Sequence, residues 1–138
     1  MARVDNVIFC LRTINMGEQG VTANTILNAI TPEYIPGLFS FSVIISILDL
    51  DYNKDHFFSV IFSDPDTNKV INIENQRIPR LDHDNGNLPN EYSGINIAMD
   101  WNNVNLKVSG LYTLKFLYDG DVIGEKSIYV KGKNENEQ

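Results

Sequence analysis

Apolar and polar residues alternate with a period of two along several segments of the chain. The clearest segment begins at Phe39 and reads FSFSVIISILDLD, with apolar residues on one side and Ser40, Ser42 and Ser46 on the other. A helix would repeat its apolar positions every three or four residues, so this alternation predicts a strand with one buried face.

Seven further segments have the same alternation or a strand-like composition. Turn residues separate many of them, such as Asp119-Gly120 before the final strand. The segment 21–30 also fits a helical spacing through Ala23, Leu27 and Ile30, so a short helix stays open there. The other predicted strands are residues 6–14, 56–62, 69–73, 95–101, 112–118 and a last strand that contains Ile128 and Val130.

Eight strand candidates without a long helical period predict an antiparallel sandwich. The length of 138 residues suits one domain, which we place at residues 1–132. A long loop is predicted between Gln76 and Asn90 from its content of Pro, Gly and Asn. Residues 133–138 follow the last apolar residue, Val130, and are predicted to be a disordered tail.

The start of the predicted strand 112–118 carries a more specific pattern, in which Gly110 lies two residues before Tyr112. This pattern resembles the tyrosine corner of immunoglobulin-like sandwiches, although an ordinary buried tyrosine also fits it. Leu114 stands where the second cysteine of such domains usually lies. The predicted fold class is therefore all-β, an antiparallel immunoglobulin-like β-sandwich of about seven or eight strands that has no disulfide.

Most of the chain, residues 4–132, resembles a family of short all-β proteins from bacteria and phages whose function is unassigned. The resemblance rests on DNVIFCLRTINMGEQGVTANTILNAI, on the strand pair through FSFSVIISILDLD and HFFSVIFSDPD, and on SGLYTLKFLYDGDVIGEKSIYVKG. It implies the fold and an intracellular accessory role in a bacterium or a mobile element. It implies no mechanism.

Composition excludes several classes of function. The net charge of −7 and the scattered positions of the 11 Lys and Arg residues disfavour nucleic acid as a partner. No apolar run approaches the roughly 20 residues of a membrane span. The single cysteine, Cys10, lies among apolar residues and is expected to be buried and inert, which suits a cytoplasmic location.

Recognisable catalytic and cofactor motifs are missing from the sequence. It contains no C-x-x-C, H-E-x-x-H, G-x-S-x-G or Gly-rich phosphate loop, so we expect a non-catalytic protein without a cofactor. An enzyme with an unrecognised site remains an alternative. Its most plausible centre is Asp82, His83 and Asp84 in the long loop, because active sites favour such loops.

Pairs of aspartates separated by one residue recur at predicted strand ends. Three such loops that met at one end of the sandwich could supply oxygen ligands to Ca²⁺, which gives a calcium-dependent ligand-binding or membrane-binding module as an alternative function. Asp is also a preferred turn residue, and this explanation needs no metal. The candidate ligands are Asp49, Asp51, Asp64, Asp66, Asp119 and Asp121.

The function that the sequence favours is the binding of a protein partner, with a phage or mobile-element protein acting on a host protein as one setting. Tyr129, Lys131 and Lys115 are predicted to point outward from the last two strands. Arg80 and His83 in the long loop complete the candidate binding residues. A terminal edge strand could also accept another chain, which includes pairing into a homo-oligomer.

Overall fold

The computed structural model describes residues 1–51, 53–78 and 88–135, and this part of the chain contains nine strands and three short 3₁₀ helices. The 3₁₀ helices are Gly17–Gln19, Asn90–Tyr92 and Lys133–Glu135. The strands are β1 (Arg3–Asn15), β2 (Val21–Ile26), β3 (Ala29–Ile30), β4 (Gly37–Leu48), β5 (His56–Ser63), β6 (Lys69–Ile78), β7 (Gly94–Leu106), β8 (Gly110–Tyr118) and β9 (Asp121–Val130).

The strands form two sheets that pack as a sandwich. One sheet has the order β2-β1-β4-β7 and the other the order β3-β9-β8-β5-β6. All neighbouring strands are antiparallel except β3 and β9, which pair in parallel. The predicted antiparallel sandwich is confirmed.

The segment 21–30 is neither one strand nor a helix. Its first part, β2, pairs with β1, and its last two residues cross to the other sheet and pair with Tyr129 and Val130 of β9. The change of sheet after Ile26 accounts for a ninth strand where seven or eight were predicted. It also places Ile30 in the core, where this side chain is fully buried.

Aromatic side chains from both sheets fill the centre of the core. The ring centroid of Phe41 on β4 lies 6.2 Å from that of Phe9 on β1. It lies 5.7 Å from Phe62 on β5 and 5.4 Å from Trp101 on β7, where the two rings meet edge to face. Trp101 is only 8% exposed, so the lone tryptophan packs in the core.

Tyr112 forms the tyrosine corner that the sequence predicts. Its side chain is fully buried, and its hydroxyl donates a hydrogen bond of 2.7 Å to the carbonyl of Val108. The contact fixes the turn between β7 and β8 to the core, since it satisfies a buried hydroxyl and a turn carbonyl together. Leu114, which replaces the usual cysteine, is also fully buried.

Two predicted loop regions contain regular structure. The loop expected to begin at Gln76 begins later, because β6 continues to Ile78 and pairs Gln76 with Phe58. A bulge at Asn75, where φ is 51°, lets this polar part of the strand stay in the ladder.

The predicted disordered tail starts instead with the 3₁₀ helix Lys133–Glu135, and residues 136–138 lie outside the described residues.

The hairpin of β1 and β2 leans across the outer face of the four-stranded sheet. Pairing of β1 with β4 ends at Cys10 and Ser42, yet Thr13 further along β1 donates a hydrogen bond of 3.1 Å to Asp100 on β7. Strand β4 lies between β1 and β7, so the hairpin crosses over it. Cys10, which pairs with Ser42 of β4 and with Ile26 of β2, is fully buried, as predicted.

Candidate functional site

The outer face of the five-stranded sheet carries three of the predicted binding residues. Tyr129 on β9 lies directly opposite Leu111 on β8, and their side chains are 50% and 54% exposed. Four residues further along the pair of strands, beyond Thr113 opposite Ser127, Lys115 lies opposite Glu125, and both are exposed. A large aromatic and a large aliphatic side chain thus lie side by side in solvent, on a face that also carries charges of both signs.

A groove of about 460 Å³ on the same face is lined in part by Leu111. Its floor includes Ile61 on β5, and its rim carries charged side chains from β6, β8 and β9. The surface formed by Tyr129, Leu111, Lys115, Glu125 and the groove is called the Tyr129 face below. The groove is lined by Ile61, Ser63, Asp64, Pro65, Thr67, Lys69, Leu111, Thr113, Lys115 and Glu125.

The remaining predicted binding residues lie just beyond β9, two residues from Tyr129, or outside the described residues. Lys131 is exposed just beyond β9, and its amide N–H donates a hydrogen bond of 3.0 Å to the carbonyl of Ile30. Arg80 and His83, together with the aspartates that flank His83, lie outside the described residues.

The six candidate calcium ligands are divided between the two ends of the sandwich. Asp49 and Asp51 follow β4 at the end where β5 begins, and the turn of Asp119 lies at that same end. Asp64 and Asp66 follow β5 at the opposite end. Within residues 1–51, 53–78 and 88–135, no group of three His, Cys, Asp or Glu side chains is arranged to hold a metal ion.

The carboxylate of Asp64 has a role in the turn that follows β5. Its Oδ1 accepts hydrogen bonds of 2.9 Å from the amide N–H groups of Asp66 and Asn68. Its Oδ2 accepts a further bond of 3.3 Å from the Asn68 side chain. Asp64 is 9% exposed, and its oxygens are used to close the turn between β5 and β6.

The end of the sandwich that holds Asp49 also contains a cleft of about 500 Å³. His56, at the start of β5, lies in its wall with a side chain that is 11% exposed. The Nδ1 atom of His56 lies 2.5 Å from Oδ2 of Asp119, and its Nε2 atom lies 3.0 Å from the carbonyl oxygen of Asp51. Both contacts are satisfied only when both ring nitrogens carry a proton.

The surroundings of His56 favour a structural role for its ring. Tyr118 stacks on it with 4.8 Å between the ring centroids. Burial, followed by the negative charges of Asp119 and Asp51, raises the pKa of Tyr118 to about 12. Burial also raises the pKa of Asp119, but hydrogen bonds from the Phe57 amide and from His56 outweigh it and hold this pKa below its ordinary value.

The sequence interpretation missed two of these arrangements. Leu111 was not paired with Tyr129, although counting back from the Asp119-Gly120 turn with a bulge near Gly124 gives this register. The contact between His56 and Asp119 joins residues 63 positions apart, and no local pattern indicates it.

Comparisons with known proteins support the fold and define the family. No helix in the described ranges is long and apolar enough to cross a membrane. A crystal structure of an immunoglobulin-like protein from Pseudomonas aeruginosa aligns with a TM-score of 0.52 over 95% of this chain and 97% of that chain, at 12% sequence identity. The predicted immunoglobulin-like sandwich is thereby confirmed, and the likeness shows the fold alone.

No curated protein matches the sequence. Residues 8–131 match the family of unknown function DUF6941, and the chain belongs to this family, in agreement with the predicted membership of a family without an assigned function.

Proposed function

We propose that this chain is a non-catalytic protein-binding module that uses the Tyr129 face. The observation that carries the proposal is the pairing of Tyr129 with Leu111 on the regular outer face of a sheet, each about half exposed. Interfaces between proteins concentrate their binding energy in a few large anchor residues, aromatic ones above all, surrounded by polar groups. The Tyr129 face has this composition.

The charges of the chain indicate what the partner is like. The rim of the groove carries Lys69, Lys115 and Glu125, so it can pair with either sign. The molecule as a whole has a net charge of −7, which accelerates association with a basic protein and slows association with an acidic one. We therefore propose a protein partner with an apolar patch and a basic surround.

The proposed setting is the cell interior. The lone cysteine is buried and forms no disulfide, as suits a protein of a reducing compartment. An origin in a phage or mobile element, with a host protein as the target, is a prediction from the family resemblance and is part of the same proposal.

Partner capture with matched tyrosine variants tests this function. Wild-type protein, Y129A and Y92A are immobilised and exposed to a bacterial lysate at physiological salt, and the retained proteins are identified by mass spectrometry. Tyr92 is the control because it is 59% exposed and lies at the opposite end of the sandwich. Removal of an anchor residue should weaken capture of the true partner roughly tenfold or more in Y129A, while Y92A captures it as wild type does.

A second variant in the same surface sharpens the result. L111A should lose the same protein, because Leu111 and Tyr129 form one contiguous anchor. The proposal is contradicted if every protein retained by the wild type is retained equally by Y129A and L111A.

A further inference from the structure

The edge strands of the two sheets differ in how well they are protected against pairing with another chain. In the described part of the chain, β7 has a neighbouring strand on one side only, and it keeps a continuous register with β4 from Gly94 to Asp100. Edge strand β6 carries three charged side chains and the bulge at Asn75. Edge strand β2 has only six residues and contains Thr25 with φ of 61°. Bulges, charged side chains and short length usually protect an edge strand from pairing with another chain. The segment Gly94–Asp100 has one charged side chain, that of Asp100, and none of the other protective features.

The hydrogen-bond pattern shows which backbone groups of β7 face outward. The amide N–H of Asp49 donates to the carbonyl of Ser93 at 2.9 Å, in the same register as the β4–β7 ladder. Hydrogen-bonded pairs recur at every second residue of an antiparallel ladder. Odd-numbered residues of this part of β7 therefore bond to β4, and Asn96, Ala98 and Asp100 direct their N–H and C=O groups away from the sheet.

The side chains along the same edge alternate between apolar and small or polar. Ile95, Ile97 and Met99 point toward the core and are only partly buried there. On the facing edge of the other sheet, Ile71 and Ile73 of β6 are also partly buried. This side of the sandwich thus presents a backbone edge with an apolar strip beside it.

We propose that two copies of this chain pair through β7, antiparallel to each other, about a two-fold axis at Ala98. In this register Ala98 lies opposite Ala98 of the second copy, and Asn96 lies opposite Asp100. These three residues exchange the outward backbone hydrogen bonds, and the Asn96 amide faces a carboxylate that it can donate to. On the core side, Ile97 lies opposite Met99, so apolar groups meet apolar groups.

Charge distinguishes this register from its neighbours. An axis at Asp100 would place two carboxylates directly opposite each other, which destabilises a strand pair. An axis at Asn96 would place Asp100 opposite Tyr92, which belongs to a 3₁₀ helix and not to the strand. An axis at Ile97 also brings the outward-facing residues together, but it places the Asp100 carboxylate opposite Gly94, which has no side chain to donate to it. The axis at Ala98 places Asp100 opposite the Asn96 amide, and the two four-stranded sheets become one sheet of eight strands.

Two variants with opposite charge test both the dimer and its register. At the axis, A98D places two carboxylates opposite each other, and A98K places two ammonium groups opposite each other. Each variant alone should raise the dimer dissociation constant roughly tenfold or more, while an equimolar mixture pairs Asp with Lys and forms a heterodimer. Analytical ultracentrifugation of each sample reports the mass, with the wild type expected at twice the 15.6 kDa of one chain.

Matched controls use the edge of the other sheet. Asn72 is exposed on β6, and N72D and N72K should sediment as the wild type does. A circular dichroism spectrum of each variant establishes that it is folded, which is expected because Ala98 is exposed. The proposal is overturned if the wild type is monomeric at all concentrations, or if both Ala98 variants remain homodimers. A mixture that shows no heterodimer overturns the register.

Discussion

At the scale of single residues, the carboxylate of Asp119 joins the start of β5 to the end of β8. Its Oδ1 accepts a hydrogen bond of 2.9 Å from the Phe57 amide N–H, and its Oδ2 contacts His56. The residue has φ of 50° and occupies the two-residue turn before Gly120. Asn adopts this left-handed conformation as readily as Asp does, so D119N removes the charge and leaves the turn conformation in place.

We predict that D119N lowers the free energy of unfolding near neutral pH and that this loss fades in acid. The folded-state pKa of Asp119 is lowered, so its carboxylate stabilises the fold above the unfolded-state pKa and this contribution disappears as the pH falls through the folded-state pKa. The side chain is 42% exposed, and solvent screening limits the expected loss to about 1 kcal/mol. Urea unfolding at a series of pH values between 7 and about 3 measures it.

The control for this titration is D121N, which removes the same charge from an exposed position in the same hairpin. Its free energy of unfolding should stay within about 0.5 kcal/mol of the wild type at every pH. A loss in D119N that stays constant down to pH 3 would show that the carboxylate charge is not what stabilises this turn.

Single-residue contacts differ in how far the sequence could predict them. The hydroxyl of Tyr112 bonds to a carbonyl four residues upstream, and a Gly-x-Tyr pattern at a strand start suffices to indicate it. His56 and Asp119 come together only because β5 pairs with β8, and this pairing depends on the whole fold. The groove beside Leu111 was not predictable for the same reason, since its floor comes from β5 and its rim from three other segments of the sheet.

At the scale of elements, the outer part of the β1–β2 hairpin, beyond the pair of Cys10 and Ile26, places the backbone of Arg12 and Asn24 against the Cys10 thiol and covers it. The Oδ1 atom of Asp100 accepts hydrogen bonds from Thr13 of the hairpin and from Ser42 of β4. Burial raises the pKa of the Cys10 thiol, and the nearby charge of Asp100 raises it further. Reaction of the thiol therefore requires the hairpin to lift, and its rate measures how often this happens.

We predict that T13V increases the rate of Cys10 labelling by a disulfide reagent such as DTNB roughly fivefold. Val has nearly the shape of Thr but cannot donate to Asp100, and loss of one hydrogen bond of about 1 kcal/mol makes the lifted state more frequent by this factor. Absorbance of the released thiolate at pH 8 follows the reaction. The matched control is T113V, which removes the contact of 2.9 Å between Thr113 and Ser127 in the other sheet. Equal rates in T13V and wild type would show that the hairpin is not the cover.

The elements themselves were predicted where alternation between apolar and polar residues is strong and missed where it fades. Strand β4 has an apolar inner face and was found nearly whole. Strand β6 continues past Ile73 through Glu74, Asn75, Gln76 and Arg77, a polar stretch that resembles a loop in composition but pairs on one side with β5. Strand β3 has two residues, too few for any period, and its partner is 100 positions away.

At the scale of the whole molecule, the two proposed surfaces occupy separate places. The Tyr129 face is the outer face of the five-stranded sheet, whereas the proposed dimer edge belongs to β7 at the side of the four-stranded sheet. Pairing through β7 therefore leaves the Tyr129 face open, and a dimer would present two copies of it to a partner. Two linked copies of one site bind a multivalent target more tightly than either alone.

Because dimerisation stabilises the folded state by mass action, we predict that the melting temperature of the wild type depends on protein concentration. A hundredfold increase in concentration should raise Tm by roughly 3–6 °C for a domain of this size if the folded state is dimeric throughout. At concentrations below its raised dissociation constant, A98K should melt at a temperature that does not vary with concentration, while N72K should shift as the wild type does. Differential scanning calorimetry at several concentrations measures all three. A wild-type Tm that is independent of concentration would contradict the dimer. It would not contradict partner binding through the Tyr129 face, because Tyr129 lies on a different surface and the variants Y129A and L111A test that binding separately.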